Sequence, residues 1–127
     1  MKTIIFAPIS VGELVDKITI LEIKTENIQG EALANIQNEL QSLKKILDDN
    51  QLDVDSKIID ELRQVNRILW KVEDKIRNHE CQKDFGENFI DLARSVYRHN
   101  DQRAAIKRRI NIQNNSELIE EKSYQDY

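Results

Sequence analysis

The stretch SVGELVDKITILEIKTENIQG at residues 10–30 decides the fold. Ser10 and Glu13 carry the Ser-x-x-Glu spacing of a capping box, and Ile9 and Leu14 occupy the positions of a hydrophobic staple, so a helix starts here. At about 100° per residue, Val11, Leu14, Val15, Ile18, Leu21 and Ile28 share one side of it. The spacing predicts a helix from Ser10 to Gln29, stopped by Gly30 in the left-handed conformation that a helix end favours. Ile20 and Ile23 lie roughly opposite the main apolar face. A helix that is apolar on two sides takes a central position or forms a subunit interface. Glu22 falls between Val15 and Ile18 on the main apolar side, and a carboxylate aimed at a core needs a partner.

Downstream, Leu33, Ile36, Leu40, Leu43 and Leu47 predict a second helix over 31–49. Ile58, Leu62, Val65, Leu69, Val72 and Ile76 predict a third over 56–82. Both sets alternate steps of three and four residues, the pattern of a heptad seam. The short polar link 48–55 between them predicts a long antiparallel hairpin with coiled-coil packing. Trp70 and Ile59 lie off the seam, so the third helix is expected to touch a further element. Asp84 and Glu87 repeat the capping-box spacing, with Gly86 in the turn, and open a fourth helix that runs to Gln113. Asn114, Asn115 and Ser116 break it. Leu118, Ile119, Tyr124 and Tyr127 make the acidic tail too apolar to leave unstructured, so a short docked helix from Ser116 is expected, frayed beyond Tyr124. The fold class is all-α, a four-helix bundle-like single domain over 1–127, with 1–9 as an N-terminal segment.

Composition narrows the class. With three Gly, one Pro and 33% charged residues in 127, the chain reads as one helical domain. The lone Cys81 points to a reducing compartment. The apolar run in MKTIIFAPI is interrupted by Pro8 and soon followed by Glu13 and Asp16, too short for a signal peptide. No run approaches the roughly 20 apolar residues of a membrane span. A cytoplasmic protein is the expectation. Residues 1–55 carry 5 basic and 10 acidic side chains, 56–112 carry 13 and 9, and 113–127 carry 1 and 4. This asymmetry implies either complementarity between neighbouring helices or an anion site on the basic part.

Four segments carry a resemblance. PISVGELVDKITILEIK at 8–24, LWKVEDKIR at 69–77, FIDLARSVYRHNDQRAAIKRRIN at 89–111 and SELIEEKSY at 116–124 resemble a family of small helical bacterial proteins known as a domain of unknown function. The resemblance spans nearly the whole chain and brings no catalytic or binding residue with it.

The candidate site therefore rests on the residues. The apolar stripe Phe89, Leu92, Ala93 and Val96 turns into Asn100, Arg103, Lys107 and Asn111 further along the fourth helix. Glu22, Asn100, Arg103 and Lys107 are expected to meet inside the bundle. There they would either form a structural ion-pair network or clamp a carboxylate or phosphate. A buried and paired Glu22 would make Glu22→Ala cost roughly 3 kcal/mol or more. Arg94, Arg98, Arg108 and Arg109 form an outer basic face, but the net charge is −4 and no aromatic residues interleave with them, so nucleic acid is not an expected partner. Glu13, Asp16, Glu73, Asp74 and Glu80 lack the dense acidic run that a Mg²⁺ site needs. His79, His99 and Cys81 have no partner at ligand or nucleophile spacing. No metal and no cofactor is expected.

Two functions follow. The first is a non-catalytic helical module that self-associates as a homodimer and binds a protein partner. The second is a small-anion-binding protein, or an enzyme acting on a phosphorylated or carboxylated metabolite. They differ in whether an exposed apolar patch or a polar cavity including Glu22 is present.

Overall fold

The structure, a computed structural model, describes residues 2–127. Among these it contains four helices and no strand: α1 Val11–Asn27, α2 Glu31–Asp49, α3 Ser56–Gln82 and α4 Glu87–Gln113. The all-α class is as expected, and α2 and α3 have the bounds their seams predict. No helix among the described residues is long and apolar enough to cross a membrane.

Local chemistry sets the ends. Ser10 Oγ accepts from the Glu13 amide at 3.1 Å, which starts α1, and Asn27 Nδ2 donates back to the Ile23 carbonyl at 2.7 Å where it stops. Gly30 does have a positive φ of 78°, but with ψ at −149° it is the N-cap of α2, not a left-handed stop for α1. Asp55 Oδ1 caps α3 through the Lys57 amide. Lys83, with φ 55°, makes the left-handed turn out of α3. Asp84 accepts from the Gly86 amide ahead of α4, so the second capping box closes on the turn and the helix begins at Glu87.

The α3 seam is buried as its spacing predicts: Ile58, Leu62, Val65, Leu69 and Val72 are all in the core. Its partner is α4 and not α2. No Cα of α2 lies within 8 Å of one in α3. The expected α2/α3 coiled-coil hairpin is replaced by two others, α1/α2 and α3/α4. A heptad seam specifies which face of a helix is covered and leaves open which helix covers it. Each fully buried Leu, Ile or Val contributes about 1.5–3 kcal/mol, and α4 offers Ile106 and Ile110 together with Lys107 and Asn111, which bond to α1. The α2 seam is left half-buried throughout.

α1 is the central element, packing on α2, α3 and α4. Ile23 on its second apolar side is 2% exposed, so this side is used within the chain. α1 advances from Asp16 to Glu26 while its hydrogen-bond partners on α3 stay between Arg63 and Arg67, so it crosses α3 and does not run along it. The 27-residue helices α3 and α4, about 40 Å long, therefore extend past α1 as a two-helix arm. They pair from the Arg109–Glu61 salt bridge to the His79–Phe89 ring contact. The C-terminal segment is not helical. It docks on α4 as an extended strap, and beyond Tyr124 it is held by the edge-on contact of Tyr127 with Tyr97.

Candidate functional site

A close approach between helices organises the polar interior. A Cβ on Gly12 would stand 2.5 Å from the Lys107 carbonyl oxygen and 2.9 Å from Asn111 Oδ1, so only glycine lets α1 and α4 come this near. The first four amides of α1 are all satisfied there. Val11 N donates to Ser116 Oγ at 3.1 Å and Gly12 N to Asn111 Oδ1 at 2.6 Å, while Glu13 N and Leu14 N donate to Ser10. The helix N-terminus, a ready anion site when open, is thereby filled by the protein itself.

One turn further in, Asp16 is 1% exposed. Its Oδ1 accepts from Asn66 Nδ2 at 2.9 Å, and its Oδ2 faces Arg103 at 3.3 Å and Lys107 at 3.8 Å. Thr19 Oγ1 accepts the second Asn66 hydrogen at 2.9 Å and donates to the Asp16 carbonyl. Lys107, 5% exposed, donates to Glu13 Oε2 at 2.6 Å and to Glu120 Oε2 at 3.0 Å, which fastens the strap to the bundle. Burial pushes the Lys107 ammonium down, but the hydrogen bonds to Glu13 and Glu120 and the Asp16 charge outweigh it and the pKa is raised. The same hydrogen bond from Lys107 holds the Glu120 carboxyl below its ordinary value. Lys122 also lies 3.8 Å from Glu120, so Glu13, Asp16 and Glu120 are matched by Arg103, Lys107 and Lys122.

This corrects the expected set of Glu22, Asn100, Arg103 and Lys107. Arg103 and Lys107 do meet a buried carboxylate of α1, but it is Asp16. Glu22 lies about 120° further round α1 and accepts from Arg63 Nε and Nη2 at 3.2 and 3.1 Å. Lys107 donates to Glu13 and Glu120 and has the Asp16 carboxylate 3.8 Å away, so three negative charges already surround its ammonium. Asn100 sits with Arg103 on the wall of a groove of about 470 Å³ in the angle between α1, α3 and α4, which Asn66 and Trp70 also line. A second cavity, about 540 Å³, lies between α4 and the strap and is lined by Tyr97, Tyr124 and Tyr127, with Asn100 shared between the two.

Asp16 as the buried acid and its bond from Asn66 escaped the sequence reading, as did the acceptor role of Asn111 toward Gly12. The signal for Asp16 was the stripe Gly12, Asp16, Thr19, Ile23, at steps of four, three and four, whose small and polar members mark a close helix contact. The acids weighed as a Mg²⁺ set do not converge: Glu13 goes to Lys107, Glu73 to Arg77 and Glu80 to Lys83. Among the described residues no three His, Cys, Asp or Glu side chains are grouped to hold a metal ion. His99 bonds its own helix at the Ser95 carbonyl, and His79 bonds the Asp84 carbonyl. On the outer basic face, Arg108 and Arg109 pair with Glu121 and Glu61.

No curated protein and no solved structure matches the chain. The match that does exist covers the core network, both walls of the groove and the strap alike: over residues 5–127 the chain belongs to the family of unknown function DUF6165.

Proposed function

We propose that this protein is a non-catalytic helical module that self-associates and docks a protein partner through its N-terminal segment. The observation that carries the reading is the exposure of three consecutive large apolar side chains, Ile4 at 69%, Ile5 at 85% and Phe6 at 82%. They lie on a segment outside the helices. β-Branched and aromatic residues in a row favour strand pairing, and an uncovered apolar run marks an interaction site. Two copies can pair these segments with each other. The half-buried seam of α2, which α3 does not cover, supplies further apolar surface for the contact. The anion-binding alternative is weaker than its sequence pattern implied, because the Lys107 charge is already met by Glu13, Glu120 and Asp16 and Glu22 is elsewhere.

Analytical ultracentrifugation over a concentration series tests it. The expected species approaches twice the 14.9 kDa chain mass, and Ile5→Asp shifts it to a single chain with unchanged helicity. A wild-type mass of one chain at every concentration would overturn the proposal.

A further inference from the structure

We propose that the groove between α1, α3 and α4 binds a free α-amino acid with an apolar or aromatic side chain. Its volume of about 470 Å³ falls within the roughly 300–1,000 Å³ of small-molecule sites. The polar groups on its surface are arranged by sign.

Asn66 forms the floor. It is 4% exposed, and both of its Nδ2 hydrogens are spent on Asp16 Oδ1 and Thr19 Oγ1, which also fixes the amide's orientation. Its Oδ1 takes no donor from any described residue. Since no buried polar atom of the described residues lacks a partner, this oxygen is reached from the groove that Asn66 lines. A fixed acceptor in a largely buried position calls for an N–H or O–H donor from a ligand.

The α4 wall is its complement. Arg103 is held by Asp16 through one Nη at 3.3 Å, leaving the rest of its guanidinium fork to the groove. Asn100, one turn earlier, makes no side-chain hydrogen bond to any described residue. Two donors at that spacing fit a carboxylate. Further along α3, about 12 Å from Asn66 by helix rise, Asp74 has no ion pair with any described residue and adds a negative charge to the far end of the groove. Arg77 and Glu73 neutralise each other at 2.6 Å. Trp70, Leu69 and Ile20 supply the apolar surface for a side chain. Asp16 accepts from Asn66 through Oδ1 and faces Arg103 through Oδ2, so the Asn66 acceptor and the α4 donors lie side by side, and a ligand that meets both carries an ammonium beside a carboxylate, as an α-amino acid does. A phosphorylated metabolite would bring its charge toward the unpaired Asp74, and the cation of the α4 wall, Arg103, already shares its charge with Asp16.

The test is calorimetry and thermal shift on the full chain with L-phenylalanine and L-leucine, beside phenylacetate, which lacks the ammonium, and phenethylamine, which lacks the carboxylate. Asn100→Ala removes a groove group that no described residue bonds, so the variant should melt at the wild-type temperature without ligand. The expected result is saturable binding of an amino acid, weakened about tenfold or more by either analogue and by Asn100→Ala. Absence of binding by both amino acids would overturn the assignment. So would phenylacetate or phenethylamine binding as tightly as phenylalanine, or an Asn100→Ala variant that binds like the wild type. The outcome is independent of self-association, which is read from mass.

Discussion

Gly12→Ala is the sharpest test of how this fold is held together. The added methyl would lie 2.5 Å from the Lys107 carbonyl oxygen, a distance that real Cβ contacts do not reach, and a separation of 3.0 Å requires α1 and α4 to part by at least 0.5 Å. Neither atom can yield alone, because one is backbone of α4 and the other is attached to backbone of α1. The displacement stretches the 2.6 Å bonds from Gly12 N to Asn111 and from Lys107 to Glu13, which sit at the same junction. Overpacking costs about 1–3 kcal/mol and weakening of buried hydrogen bonds about 1 kcal/mol more. Against this, alanine is favoured over glycine in a helix by up to about 1 kcal/mol. The net expectation is a destabilisation of about 2 kcal/mol, or a drop of roughly 8 °C in melting temperature for a chain of this size. Urea denaturation followed by circular dichroism measures it. Asn111→Ala should cost less in the Gly12→Ala background than in the wild type, because the bond it removes is already weakened. If Gly12→Ala is neutral or stabilising, the close approach of α1 to α4 is wrong.

Three further expectations follow from the same network. Asp16→Ala should cost about 3–5 kcal/mol, because it leaves Lys107 and Arg103 short of a fully buried partner. Glu22→Ala should cost under about 1 kcal/mol, since Arg63 and Glu22 are 24% and 28% exposed; equal costs in denaturant titrations would refute the assignment of Asp16 as the buried acid. Ser116→Ala removes the oxygen that accepts from Val11 N and should lower stability by about 1 kcal/mol, as loss of a helix cap does. Docking of the strap should depend on pH. Glu120, whose carboxyl the Lys107 hydrogen bond holds low, contributes fully above the ordinary glutamate value. That contribution is lost as pH falls through the lowered one. The Lys107 contribution is complete below the ordinary lysine value and is lost as pH rises through its raised one. Amide exchange of residues 117–127 against pH reads the acid limb, and Glu120→Gln should flatten it.

What was legible in the chain was local. The spans of α2 and α3 follow from seams, caps and turn residues a few positions apart, and the structure places them where those signals lie. Asn100, Arg103 and Lys107 stood out as polar breaks in an apolar stripe, and two of the three do face a buried carboxylate. Glu22 was the conspicuous acid because apolar residues surround it on α1, yet a side chain of that length reaches Arg63 at the edge of the contact. Asp16 was inconspicuous because its neighbours on the helix wheel are Gly12 and Thr19, small residues whose role is visible only when another helix lies against them.

The sequence by itself determined the four main helices, the limits of α2 and α3 and the face that α3 buries, since those depend on interactions within one or two turns. The tertiary structure alone decided that α3 pairs with α4, that α1 crosses them, and that the tail is a strap tied by Glu120. The physical reason is that apolar seams are interchangeable and non-directional. The choice among partners was made by contacts between residues some ninety to a hundred positions apart: the space left by Gly12, and the hydrogen bonds of Asn111, Ser116 and Lys107 to the first turn of α1.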